Sequence, residues 1–160
     1  MSTYEHEIEI EAPIDYVFAW GVDPANWQRC MPSLTAVELI EEVDGGTRYQ
    51  TTSKMLGRSA TSESVFKILE PNAHTVTAIE GDMAGQMDYH YAEEGDRTTV
   101  RFVGEFEGAD SLFERALQPV FNRYMNRQFR NHLHTMKDLV EAEYAAGKDV
   151  AGEVAAAPPQ

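Results

Sequence analysis

The side chains able to do chemistry are few and scattered. Of the five histidines, His6, His74 and His90 fall on separate predicted elements, while His132 and His134 sit two residues apart on a helical stretch. That spacing sets two helical side chains about 200 degrees apart, so they cannot grip one ion as residues four apart can. Exposed or capping histidines are expected, and no metal site. Cys30 is the sole cysteine, which excludes an internal disulfide and a thiolate cluster. It becomes a nucleophile only where a base or a positive terminus lowers its pKa, and its neighbours Arg29 and Met31 do not establish that arrangement. An inert thiol is expected there. The sequence holds no G-x-S-x-G elbow, no phosphate-cradling glycine loop and no dinucleotide fingerprint, so no cofactor is implied. Acids are plentiful, yet no pair is singled out for acid–base work; Asp88 and Glu105 fall on the presumed wet faces of strands.

Aromatic and hydroxyl-bearing side chains are the better candidates. Met87, Tyr89 and Tyr91 share one face of a predicted strand, and Val100, Phe102, Gly104 and Phe106 share one face of the next. Tyr49 and Thr51 extend that surface, with Phe66 and Ile68 from a neighbouring strand. Trp27, Met31, Phe113, Leu117 and Tyr124 are placed to close an end or a wall. Two readings stand side by side. Either these residues line an aromatic cavity whose few hydroxyls orient a planar or lipid-like ligand, or they meet and fill a core. Tyr89 and Tyr124 are the candidates for moving protons, should there be a reaction.

The elements that must position them are legible from periodicity. Tyr4–Glu11 alternates, with Glu5, Glu7, Glu9 and Glu11 on the wet face. Pro13 and Asp15 open a short helix ended by Gly21, and Asp23-Pro24 opens a second short helical turn. Strands follow at Leu34–Glu41, Thr47–Met55, Ala60–Leu69, His74–Glu80, Met83–Ala92 and Arg97–Glu107, joined by glycine- and acid-rich turns too short for crossover helices. Ser111 to Glu114 has capping-box spacing and leads into a helix reaching residue 144. One apolar face runs through Phe113, Ala116, Leu117, Val120, Phe121 and Tyr124, and a second, displaced face through Phe129, Leu133, Met136 and Val140. Pro119 predicts a kink or a break between them. Arg123, Arg127 and Arg130 share a helical face directed away from the sheet, with Lys137 nearby. Residues 145–160, rich in Ala, Gly and Pro, read as a loose tail beyond a single domain spanning 1–144.

This order of one strand, two short helices, six strands and a long helix resembles the START-like, or SRPBCC, superfamily, in particular its polyketide cyclase/dehydrase and lipid-transport-like branch. The resemblance rests on Ala12-Pro13 with Tyr16-Val17-Phe18, on Asp23-Pro24 with Trp27 and Pro32, on Gly46-Thr47-Arg48 and on Gly95-Asp96-Arg97-Thr98-Thr99-Val100. It covers about residues 3–144. It implies an α+β helix-grip fold of the START/Bet v kind, in which an antiparallel sheet of about seven strands wraps around the long C-terminal helix. An apolar cavity between sheet and helix goes with that fold, as do lipid carriers, hormone and metabolite binders, and aromatase/cyclases.

Charge bounds the partners. With 27 acids against 13 basic residues the formal charge is −14, a field that disfavours nucleic acid and anionic membrane surfaces. Four lysines against nine arginines, on so acidic a chain, fit a halophilic, salt-rich cytoplasm. The first twenty residues lack the pattern of a signal peptide, and no apolar run approaches a membrane span, so a cytoplasmic protein is expected. The leading reading is binding or carriage of an apolar or amphipathic small molecule. A cyclase or dehydratase using cavity tyrosines is the alternative, and a chaperone or assembly factor with an unknown protein partner stands third.

Overall fold

The computed structural model describes the backbone of residues 1–108 and 112–156, and the side chains of residues 1–108 and 115–147. Strand β1 (Ser2–Ile10) is followed by helices α1 (Ile14–Val22) and α2 (Pro24–Cys30). Six strands come next: β2 (Leu34–Val43), β3 (Gly46–Met55), β4 (Arg58–Glu70), β5 (His74–Gly81), β6 (Gly85–Glu94) and β7 (Arg97–Phe106). Helix α3 (Leu112–Ala156) is the last described element. All seven strands form one antiparallel sheet in the order β1-β7-β6-β5-β4-β3-β2. The meander from β2 to β7 follows from short turns. At the β3–β4 turn both Leu56 (φ 50°) and Gly57 (φ 79°) are left-handed, the backbone that matches a two-residue hairpin to strand twist.

The first strand closes the far edge by charge matching as well as by apolar burial. Tyr4, Ile8 and Ile10 point into the core. On the opposite face Glu5 meets Arg101 at 2.7 Å and Glu9 meets Arg97 at 2.6 Å, both arginines on β7. Helix α2 begins as its sequence dictates: the Asp23 carboxylate accepts from the Ala25 amide at 3.0 Å, with Pro24 in the first turn.

Helix α3 lies across the sheet on a stripe of Met125, Phe129, Leu133, Met136 and Val140, all buried. Phe129 is the hub, its ring 4.6 Å from Phe102, 5.3 Å from Tyr4 and 5.7 Å from Phe106. Polar contacts fasten the helix along β1. Asn122 accepts from Ser2 and Tyr4, Asn126 meets His6, Lys137 donates to the Glu9 carbonyl, and Glu141 accepts from the Glu11 amide.

Four particulars depart from expectation. Gly21 lies inside α1 rather than ending it. Pro119 sits within one uninterrupted helical element, so of the kink and the break that it predicts the break does not occur. The earlier apolar face is not a buried one: Leu117 (48% exposed) and Val120 (61%) face solvent, and only from Phe121 onward does the stripe reach the sheet. Finally, α3 runs on through 145–156, where an alanine-rich composition supplies helix propensity that the glycines and the terminal prolines obscure. The Ser111 cap and the capping box it would open lie outside the described residues.

Candidate functional site

Between the concave face of the sheet and α3 lies a cavity of about 140 Å³. Three groups of elements make its walls, and each contributes a different chemistry. Strands β3 to β5 present short hydroxyls, Thr51, Ser62, Ser64, Thr75 and Thr77, at alternate positions of their inner faces. Thr51 Oγ1 and Ser64 Oγ are 3.2 Å apart, and Ser62, Ser64 and Thr75 are buried. Strand β6 supplies Met87, Tyr89 and Tyr91, again by alternation. Helices α1, α2 and α3 close the rest with Trp20, Gly21, Trp27, Cys30 and the run Met125, Phe129, His132, Met136.

Methionine is the most frequent residue type in the lining. Met31, Met55, Met83, Met87, Met125 and Met136 all border the cavity, and Met1 is the only methionine in the chain that does not. Unbranched thioether side chains adapt their shape and favour aromatic partners, so this wall conforms to a guest better than a branched aliphatic one.

One polar pair is set into that wall. The Tyr89 hydroxyl and His132 Nε2 are 2.8 Å apart, and His132 Nδ1 faces the Cys30 carbonyl oxygen at 3.3 Å. A carbonyl can only accept, so Nδ1 carries the proton and Nε2 is the acceptor. Tyr89 therefore donates to His132, and its oxygen keeps lone pairs for a guest. Burial holds His132 down to about 4, opposed in part by the bond to Cys30, so the ring is neutral at ordinary pH. Burial also pushes the Tyr89 hydroxyl well up, with the nearby Cys30 and Tyr91 groups acting in the same direction. Tyr91 is raised as well, mainly by burial. Cys30 is buried, its thiol directed at the Asn26 and Trp27 carbonyl oxygens, and desolvation pushes it up to about 12. It is a thiol and not a nucleophile.

Of the residues nominated from sequence, Trp27, Met31, Thr51, Phe66, Met87, Tyr89, Tyr91 and Phe106 line the cavity. Tyr49 does not: it packs edge-on against Trp27 at 5.2 Å, outside the wall. Phe102 is wholly buried beneath Tyr89 and Phe129, supporting the wall from behind. Tyr124 is half-buried against the core away from the cavity, and Leu117 and Ile68 are exposed. The Phe113 side chain lies outside the described residues. Sequence reasoning missed Trp20, Met125, Phe129 and, above all, His132. The signal for His132 was present: it lies three residues after Phe129 and four before Met136, on the buried stripe, whereas His134 is exposed.

The histidines of the outer face also differ from expectation. His74 and His90 are cross-strand partners, ring centroids 4.2 Å apart, and the Asp88 carboxylate accepts from His74 at 2.8 Å. Separate elements in sequence become neighbours because β5 and β6 pair in that register. Arg123, Arg127 and Arg130 are exposed, as their helical face predicts. No helix among the described residues is long and apolar enough to cross a membrane.

Comparison with known proteins gives the same architecture. A protein from Thermus thermophilus superposes with a TM-score of 0.79 at 16% identity, covering 89% of this chain and 99% of that one. The Zhui aromatase/cyclase from Streptomyces sp. R1128 gives 0.76 at 17% identity, covering 88% and 93%. A START superfamily protein from Mycobacterium smegmatis gives 0.71 at 12% identity, covering 88% and 97%. At these identities the likeness is one of fold. No curated protein matches the sequence. A family model does match, over residues 1–141: with its helix-grip fold, the chain belongs to the polyketide cyclase/dehydrase and lipid transport family.

Proposed function

We propose that the protein binds and carries a small amphipathic molecule with a compact apolar body and one hydroxyl-type donor, the donor meeting the Tyr89 oxygen. The observation that carries this reading is the buried Tyr89–His132 pair in a wall otherwise built of methionine, aromatic and short hydroxyl side chains. A dry apolar cavity of roughly 150 Å³ accommodates a benzene-sized ring. At about 140 Å³ this one suits a single ring, and a larger guest requires the methionines to move. Because the Tyr89 hydroxyl already donates to His132, its free lone pairs select a guest that donates.

The cyclase or dehydratase reading draws on the same pair, since a tyrosine hydroxyl at a cavity wall can transfer a proton to a bound carbonyl. Efficient acid–base catalysis needs a pKa near the working pH. Burial moves both groups the wrong way, His132 down and Tyr89 up, which favours binding over turnover. The acidic surface supports a salt-rich cytoplasm as the working environment.

Calorimetry with 4-propylphenol and with its methyl ether tests the reading. The phenol is expected to bind about tenfold more tightly, in keeping with one hydrogen bond in a buried site. Tyr89→Phe should abolish that preference while leaving the ether's affinity unchanged. Equal affinity for the two guests, or no binding of either, overturns it. Extraction of the chain purified in high salt, followed by mass spectrometry, identifies any natural guest.

A further inference from the structure

The outer face of the sheet carries a second cluster of chemically competent side chains, unconnected with the cavity. Strand alternation turns Thr75 and Thr77 of β5, and Met87, Tyr89 and Tyr91 of β6, toward the cavity. His74, Asp88 and His90 therefore project from the opposite face. His74 and His90 are direct cross-strand partners with nearly parallel rings, 23° between planes. The candidate ligand atoms of all three residues lie within 4.8 Å of one another. Small side-chain rotations bring atoms at that spacing to the roughly 2.0–2.2 Å metal–ligand distances of zinc.

We propose that His74, Asp88 and His90 bind one divalent transition-metal ion of the zinc class, with water completing the coordination. Two imidazoles and one carboxylate select zinc, nickel or copper over magnesium and calcium, which favour all-oxygen sites. The supporting contacts suit that role. Gln86 Nε2 donates to the second Asp88 oxygen at 2.7 Å, orienting the carboxylate from behind. Arg101, across from His90 on β7, is drawn toward Glu5 at 2.7 Å rather than occupying Asp88. The His74 and Asp88 side chains are 27% and 19% exposed, which leaves a path for an ion to enter. The ion would tie β5 to β6 behind the wall that bears Tyr89, and so would stabilise the folded chain.

Chelator-stripped, untagged protein is titrated with Zn²⁺ in the presence of excess Mg²⁺, which occupies scattered surface carboxylates. One zinc per chain and a raised Tm are expected, with affinity reduced at least about tenfold by His74→Gln or His90→Gln. In the unmodified chain, the imidazole proton resonances of His74 and His90 should shift with the first equivalent, ahead of those of His6 and His134. Absence of saturable binding overturns the proposal. So does wild-type affinity in the doubly substituted, correctly folded chain, or a first response at His6 or His134. Phenol binding in the cavity is a separate readout, so failure of either proposal leaves the other standing.

Discussion

His132 brings an ionisable ring to a place where water does not follow. Its pKa of about 4 lies below the unfolded value near 6.5, so between those pH values the unfolded chain holds more protons than the folded one. Stability from this residue is complete above about pH 6.5 and drains away as pH falls toward 4, by on the order of 3 kcal/mol. Urea midpoints measured at pH 7.5 and pH 5 should show this loss. The pH 5 to 7.5 difference should shrink in His132→Gln, which keeps polar atoms but cannot titrate; an unchanged slope would place the dependence on the carboxylates instead. At this scale the sequence was legible where alternation governs, as at Met87, Tyr89 and Tyr91. It was harder to read where a polar residue sits on an apolar helical stripe: the spacing of His132 from Phe129 and Met136 marks it as buried, but its residue type argues for solvent, where His134 does lie.

Helix α1 illustrates how one position can register two elements. A Cβ on Gly21 would stand 2.5 Å from the Tyr91 hydroxyl, whose ring is already held edge-on by Phe18 at 5.1 Å. Gly21→Ala should therefore cost about 1–3 kcal/mol through forced displacement of Tyr91. Tyr91→Phe removes the clashing oxygen, so the double variant should recover part of that loss in chemical denaturation. If both single effects simply add, the glycine is there for another reason. The Arg29–Glu143 contact at 2.6 Å joins α2 to α3 but is more than a third exposed on both sides. Glu143→Gln is thus expected to shift stability by no more than about 1 kcal/mol, even though Trp20 also donates to this carboxylate. Element types and order were legible because hairpin turns and two-residue alternation are local signals. The part of α3 that reaches the sheet was not legible, since nothing in Leu117 or Val120 says that their turns lie beyond the covered region.

For the molecule as a whole, two electrostatic effects oppose each other. Ion pairs such as Glu5–Arg101 and Glu9–Arg97 weaken when salt screens them, whereas the mutual repulsion of an excess of fourteen negative charges is relieved. The pairs are surface-exposed and individually weak, so relief of repulsion should win. Tm is expected to rise from dilute buffer to molar KCl, and a fall would mean that the pairs across β1 and β7 dominate. Acid-rich composition made this legible from the sequence, while the cavity's volume was not, since it depends on how closely α3 approaches the sheet. The methionine lining has a further consequence, in the currency of oxidation. Peroxide that enters the cavity converts the half-buried thioethers of Met31, Met55, Met83 and Met87 to sulfoxides, strong dipoles where a soft apolar surface stood. A chain treated in this way should keep its fold yet lose affinity for an apolar guest, and regain it with methionine sulfoxide reductases. The same wall that lets the cavity adapt its shape thus makes its occupancy responsive to oxidant, with Cys30, buried as a neutral thiol, taking little part.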